Sequence, residues 1–344
     1  MAIYLNAAGH GLCDPAVGRR MAAHLAREAE VGEMRAAGEV AEELAAVRAA
    51  AAGSIGAAVE RTGLSQDTGG PWRTLVSRLA LRGRRVLAAP HEWGDNLRWL
   101  SRLTENAKGR VETLPPLDMD APDLSAWRAR IDSDVAAILA PMVTSVTGLR
   151  YPVEAIGALP RPDDALFVVD AAQAVGQGAV DVAAIGCDAL FATTRKWVRG
   201  PMETGLYWVG ERAEAVTGLT AAAPNPNVAL RLGQGVALRL ATGRGEASDM
   251  LRRMLRVEGI EPLPGTTGAV TLRVPHGAAV GLRARMVDAG IVAKWPDPAL
   301  DEPASGLSLA DGPLLRLSPH VYNTEHDIRR AADVLCTLPI RRSR

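Results

Sequence analysis

The chain of 344 residues predicts an α/β protein, with a large unit built on a mostly parallel sheet and a smaller α+β unit after it. Three observations carry this. Short, almost wholly apolar runs at residues 85–89, 136–140 and 166–169 have the length of strands buried on both faces. Helical stretches at residues 96–103 and 153–159 lie between strands, the alternation of a sheet with helices on both faces. After Asn225 the texture changes, and residues 270–274 and 314–317 alternate like antiparallel strands.

Taken in order, Asp14-Pro15 predicts a helix start, a capping carboxylate followed by a residue whose missing N–H costs nothing in the first turn. The alanine-rich segment up to about Glu60 predicts two helices, interrupted by Gly32, Gly38 and Gly53. Thr68-Gly69-Gly70-Pro71-Trp72 predicts a glycine turn that opens a helix. The run at 166–169 ends abruptly in Asp170, with Gln173 three residues on. A second apolar patch, 189–191, leads into Thr193-Thr194-Arg195-Lys196-Trp197, and a glycine-rich turn at 200–205 enters Leu206-Tyr207-Trp208-Val209. A helix is predicted over 233–243 and a last one from about Glu325 to Leu335. The expected division is a large domain at 15–240 and a small domain from 1–14 and 241–344.

Composition narrows the function. Basic and acidic residues balance at 39 each, and no basic stripe with interleaved aromatics appears, which argues against a nucleic-acid partner. No apolar run reaches the ~18 residues of a membrane span, and the amino terminus lacks a signal-peptide pattern. Cys13, Cys187 and Cys336 lack metal-ligand spacing and cannot all pair, so a cytoplasmic, reduced setting is expected. His91-Glu92 has no second histidine at i+4, and no metal site is predicted.

Strands ending in a carboxylate, an amide and a lysine place polar groups at the carboxyl edge of a parallel sheet, where open α/β folds bind ligands. A lysine there can form a Schiff base with a carbonyl. A carboxylate there can pair with a pyridinium nitrogen, as a pyridoxal phosphate (PLP) site requires. Taken alone, Asp170 also suits a helix N-cap and Lys196 a surface loop.

Three segments in order, DAAQAVG at 170–176, CDALFATTRKW at 187–197 and GPMETG at 200–205, resemble the cofactor segment of class V, fold-type I PLP enzymes. That group includes cysteine desulfurases, kynureninase, isopenicillin N epimerase and several C–S lyases. The resemblance runs from Ile3 to Thr324. It implies a seven-stranded type of sheet, a PLP cofactor, a small amino-acid substrate and a homodimer. It also implies site residues. Lys196 would carry the cofactor, Asp170 would hold the ring nitrogen protonated, and Gln173 would donate to the ring hydroxyl. Thr68, Gly69 and Gly70 align with the phosphate cradle. Thr193 and Arg195 flank Lys196 where the family has Ser and His as phosphate ligands; Arg195 keeps the positive charge, for phosphate or for substrate. Trp93, three residues before Asn96, takes the position of the residue that stacks on the ring. Ser145 stands where desulfurases carry an Asn, and Asn225 where many relatives have a Thr that reaches the neighbouring subunit's phosphate. Arg316, with Asn6, would bind the substrate α-carboxylate, a task suited to the two-pronged guanidinium.

Desulfurases use a cysteine on a loop shortly before that arginine, and residues 293–316 contain none. Segments 26–32, 92–97 and 194–197, the last followed by Gly200-Pro201, resemble the hercynylcysteine sulfoxide lyases of ergothioneine biosynthesis. The implied chemistry is β-elimination from an S-substituted cysteine or its sulfoxide, giving pyruvate and ammonia. An aminotransferase or epimerase in the same fold, and a non-catalytic PLP-fold protein, remain as alternatives.

Overall fold

The computed structural model describes residues 2–221 and 227–336. Its strands, in chain order, are β1 (Ile3–Tyr4), β2 (Thr62–Ser65), β3 (Arg85–Ala88), β4 (Arg110–Thr113), β5 (Val135–Pro141), β6 (Leu166–Asp170), β7 (Ala189–Thr193), β8 (Gly205–Val209), β9 (Val270–Arg273), β10 (Ile291–Val292) and β11 (Leu314–Leu317). Seven of them form one sheet in the order β2-β8-β7-β6-β5-β3-β4. Pairs from β4 across to β7 are parallel, and only β8 runs against its neighbours β7 and β2. The expected mostly parallel α/β sheet is therefore present.

The period of two along each strand builds two cores. On one face Ile138, Ala140, Phe167, Val169 and Leu190 are buried together. On the other face their neighbours Ala137, Leu139, Leu166, Val168, Ala189 and Phe191 are buried. Every residue of β5 is buried, which explains why its sequence is apolar without alternation. The chain leaves β3 outward to β4 and returns on the other side of β3 to β5. That reversal of direction opens a crevice at the carboxyl ends of β3 and β5.

A third core joins Ile3 and Leu5 to residues between Leu251 and Leu335. Here β9 and β11 pair antiparallel and β1 and β10 parallel, and single bridges Asn6–Ser318 and Lys294–Arg316 stitch the pairs together. The start of the chain is thus fixed against its last third.

Two expected helices differ. The alanine-rich segment forms three helices, Pro15–Val31, Glu33–Glu39 and Ala41–Gly53. Gly32, at φ 84°, ends the first, whereas Gly38 stays helical and the second break falls at Val40. The predicted start of the first helix stands: the Asp14 carboxylate accepts from the Ala16 N–H at 2.9 Å. The helix predicted over 233–243 runs instead from Val228 to Leu240, because Asn227 caps it by accepting from the Leu230 N–H at 3.0 Å. Its Gly233 is no breaker. A Cβ there would meet the Met21 sulfur at 2.7 Å, so the glycine permits close packing against the first helix.

Candidate active site

A cavity of about 410 Å³ lies at the carboxyl edge of the sheet, within the range of small-molecule sites. Asp170, the last residue of β6, stands on its wall. The Asp170 Oδ1 accepts from the Ala172 N–H at 2.8 Å, closing a turn; no helix starts here, since the next one, Val182–Ile185, is capped by Asp181, so the helix N-cap reading of Asp170 does not hold. Its Oδ2 lies 3.5 Å from Asn96 Nδ2, and the same amide donates to Glu92 Oε1 at 2.8 Å. Glu92 is fully buried and also accepts from the Trp93 N–H at 3.1 Å. Burial, reinforced by the Asp170 charge, pushes the Glu92 carboxyl up to about 8. Burial raises Asp170 too, but the Lys196 ammonium opposes it. Glu92, buried and facing the Asp170 carboxylate, is held well above the ordinary carboxylate range.

Lys196 follows β7 on a turn tied to itself. Thr194 Oγ1 donates to Thr204 Oγ1 at 2.7 Å, Thr204 Oγ1 donates to the Pro201 carbonyl at 2.6 Å, and the Gly200 N–H donates to the Thr194 carbonyl at 2.8 Å. Arg199 and Glu203 in this turn adopt φ 64° and 59°, a left-handed conformation uncommon outside glycine. Burial pushes the Lys196 amine down to about 7, with the Arg195 guanidinium adding to the effect and Asp170 opposing it. A lysine near 7 is available as a neutral amine, hence as a nucleophile and a proton acceptor. The surface-loop alternative is gone, because Lys196 lies on the cavity wall.

At one end stand Thr68 and Gly69, at the start of the helix Gly69–Ser77. Free N–H groups at a helix start suit an anion. The hydroxyl of Thr68 makes no capping bond; Asp67 does so, accepting from the Gly70 N–H at 2.6 Å. Gly70 itself faces an adjoining cavity. Thr193 donates its hydroxyl to the Thr204 carbonyl at 3.1 Å. Arg195 donates to the Gly9 carbonyl, and Asp67 is the carboxylate that acts on its charge. Arg195 therefore belongs to the same end of the cavity as Asp67.

Across the cavity, Arg316 on β11 is almost wholly buried yet charged, burial lowering it to about 10. Its Nη1 donates to the Ser145 carbonyl at 2.6 Å and its Nη2 to Asn6 Oδ1 at 3.4 Å, while Nε has no partner. Ser145 lies on the cavity wall, and Asn6 stands behind Arg316. Gln173 donates through Nε2 to the Ala8 carbonyl at 3.0 Å, with Ser145 Oγ at 3.5 Å. Trp93 is on the wall, and the Lys294 ammonium lies 5.9 Å from its ring centroid. Asn225 lies outside the described residues.

Several wall or supporting groups carried no role from sequence. Lys294 lines the cavity beside Arg316 and pairs with Asp301 at 2.9 Å. It follows the short strand β10, so the strand-end pattern that selects Lys196 selects it as well. Glu302 accepts from the Val146 N–H at 2.8 Å, and burial pushes it up to about 7. His91, held at 2.7 Å by the Tyr151 hydroxyl, is pushed by burial down to about 4 and is neutral at ordinary pH.

These groups suit PLP on their own chemistry. A carboxylate, a lysine with a lowered pKa, an amide donor, a helix start and a buried guanidinium with an unpartnered N–H surround one cavity. The comparisons agree. The family model for aminotransferase class-V matches residues 3–218. The chain is similar to the isopenicillin N epimerase of Amycolatopsis lactamdurans, 26% identical across 83% of this chain and 82% of that one. It is likewise similar to a probable hercynylcysteine sulfoxide lyase of Mycobacterium tuberculosis (strain CDC 1551 / Oshkosh), 29% identical across 91% of this chain and 84% of that one. A solved structure of the C-DES protein, with glycine covalently linked to its PLP cofactor, superposes with a TM-score of 0.82 at 14% identity, over 98% of this chain and 97% of that one; at that identity it supports the fold. With its sheet, its lysine-bearing turn and the family match agreeing, the chain belongs to the aminotransferase class-V family of PLP-dependent enzymes.

Proposed function

We propose that the protein is a carbon–sulfur lyase that eliminates a sulfur group from an S-substituted cysteine or cysteine sulfoxide. The observation that carries this is that Lys196 sits on the wall of a cavity whose described lining includes no cysteine, and that the segment leading to Arg316 holds none either. Without that thiol the desulfurase route has no sulfur acceptor, whereas elimination needs only a base at Cα. The similarity to a probable hercynylcysteine sulfoxide lyase across 91% of the chain supports the same choice.

PLP supplies an electron sink for the charge that develops at Cα. Lys196 would hold the cofactor, and its amine, once free, would take the Cα proton. Asp170, on the cavity wall, would pair with the ring nitrogen and hold it protonated. Trp93 would offer a flat face to the ring, Gln173 would donate to the ring oxygen, and Ser145 would stand near it. Thr68, Gly69, Gly70, Thr193 and Arg195 serve the phosphate end. For Gly70 this requires that Asp67 yield its N–H. Arg316, supported by Asn6, grips the α-carboxylate through its free Nε and one Nη, which orients the Cα–H bond. Water balances the reaction: the sulfur group leaves as a thiol, or from a sulfoxide as a sulfenic acid, and the remaining three carbons end as pyruvate and ammonium. A homodimer with Asn225 near the partner's phosphate site, a cytoplasmic setting, and the division into 15–240 and the remainder complete the proposal. No described helix is long and apolar enough to cross a membrane.

The test is to incubate the PLP-loaded protein with a panel of cysteine conjugates and their sulfoxides and to read pyruvate. Pyruvate dependent on Lys196 supports the lyase. The similarity to an epimerase favours a second reading, an epimerase or aminotransferase that keeps the side chain intact. No pyruvate, with inversion at Cα or amino transfer to a keto acid, would establish that instead.

A further inference from the structure

We propose that Trp197 is a positioning residue that sets which end of the Gln173 amide faces the cofactor. The inference rests on the reading of Gln173 as the donor to the ring oxygen. An amide is useful there only in one of its two orientations, since its nitrogen donates and its oxygen accepts. The Trp197 indole Nε1–H donates to Gln173 Oε1 at 2.8 Å in a fully buried contact. Indole has no acceptor, so this bond is satisfied only when Oε1 points to Trp197 and Nε2 points the other way. Nε2 then meets the Ala8 carbonyl at 3.0 Å and has its second proton on the Ser145 and cavity side.

Besides its bond to Gln173, the indole is held on two sides, by the His320 ring and the Gly268 backbone. The His320 ring stacks on it with centroids 5.7 Å apart, and His320 Nε2 lies 2.9 Å from the Trp197 carbonyl. The Val321 N–H donates to His320 Nδ1 at 2.8 Å, so Nε2 carries the proton and donates to that carbonyl. On its far edge the backbone of Gly268 comes so close that a Cβ would lie 2.3 Å from the indole. Gln177 closes the frame: its Nε2 donates to the Gln173 carbonyl and its Oε1 accepts from the Gly268 N–H at 2.7 Å. Trp197 is 1% exposed. The residue next to Lys196 is thus wedged between the cofactor strand and the segment after Arg316, with its only polar atom spent on Gln173.

A donor at the ring oxygen stabilises its anionic form, and an acceptor there destabilises it. In the PLP-loaded protein, Trp197→Phe keeps an aromatic ring for His320 but removes the N–H. The ratio of the long-wavelength to the short-wavelength cofactor band at fixed pH should fall at least twofold. The PLP dissociation constant should rise by up to about tenfold, the scale of one hydrogen bond. Gln173→Met should produce the same spectral change, and the double variant little more, because the two residues act as one unit. A changed spectrum in Gln173→Met with an unchanged one in Trp197→Phe overturns the inference about Trp197 alone. An unchanged spectrum in Gln173→Met overturns the reading of Gln173 and this inference with it. Loss of thermal stability in Trp197→Phe without a spectral change assigns Trp197 to packing and also overturns it. Should that variant not fold, the wild-type indole ¹⁵N–¹H resonance decides: protected from exchange and moved by Gln173→Met supports the proposal, and the position of a free indole overturns it.

Discussion

The lowered amine of Lys196 makes a quantitative prediction for how the protein takes up its cofactor. An amine attacks an aldehyde only when neutral. At about 7 half of the Lys196 side chains are neutral at neutral pH, whereas a lysine at the ordinary 10.5 would be neutral in about three chains in ten thousand. At neutral pH the neutral fraction is therefore on the order of a thousandfold higher than in an exposed lysine, and apoprotein should capture PLP faster than such a lysine does. The rate should climb about tenfold per pH unit on the acid side and flatten above the midpoint. Arg195→Gln removes the cation that adds most to the effect of burial, so the midpoint should move up while the alkaline plateau stays. The assay traps the adduct with borohydride at successive times and weighs the protein at each pH. A wild-type midpoint near 10, or a lowered plateau with an unmoved midpoint in Arg195→Gln, would refute the reasoning. The latter result would leave Arg195 a phosphate ligand only. Stability gives an independent check with its own sign. The unfolded chain binds a proton at Lys196 between about 7 and 10.5 that the folded chain does not, so this group makes the apoprotein more stable as pH rises through that window. Lys196→Met should accordingly stabilise apoprotein at neutral pH by up to a few kcal/mol.

Other variants test the remaining groups. Asp170→Asn should still bind PLP but slow exchange of the substrate's Cα proton, since a neutral amide stabilises a protonated pyridine less; exchange at the wild-type rate would contradict this. Arg316→Ala should cost on the order of 2–5 kcal/mol in kcat/KM, with Arg316→Lys only a partial rescue, and cofactor binding should persist in both. Glu92 carries the opposite sign to Lys196. Its carboxyl is raised from 4.5 to about 8, so its contribution to apoprotein stability falls as pH rises between those values. Glu92→Gln should flatten that limb of the stability–pH curve, and an unaltered curve would place the titration elsewhere. Light scattering should give a dimer mass, and full activity from a monomer at high dilution would remove the dimer from the proposal.

Much of the cofactor side of the cavity was legible from residues close in sequence. Asp170 and Thr193 close strands β6 and β7, Gln173, Arg195 and Lys196 follow within three residues, and strand ends at the carboxyl edge of a parallel sheet converge whatever the rest of the chain does. The helices went less well for a physical reason. Gly38 looks like a breaker when only propensity is counted, but it sits within the helix Glu33–Glu39, which bears its cost of about 1 kcal/mol. Groups that act through long-range contacts left no local pattern. The bond from Val146 to Glu302 spans 156 positions and that from Arg316 to Asn6 spans 310. Asn6 was found by resemblance, and Glu302 was not found.

Residues 294–302 are where these long-range contacts concentrate, and they bear on the choice of reaction. Lys294 exchanges both backbone hydrogen bonds with Arg316, so the two cations project from paired positions onto one wall. Asp301 holds the ammonium of Lys294, Glu302 holds the Val146 amide beside Ser145, and the Leu300 carbonyl accepts from Arg98 at 3.1 Å. A Cβ on Gly94 would come within 1.9 Å of that same carbonyl, so the segment is seated tightly on the start of the helix that follows Trp93. Where a desulfurase needs a cysteine free to swing toward the substrate sulfur, this chain has a short helix, Pro298–Asp301, pinned by two carboxylates and a carbonyl. A pinned wall can shape the space for a leaving group and cannot carry one away. The same contacts therefore count against the desulfurase route, because they supply no sulfur acceptor, while the fixed register of Arg316 and Ser145 serves any reaction that begins at an oriented Cα–H bond.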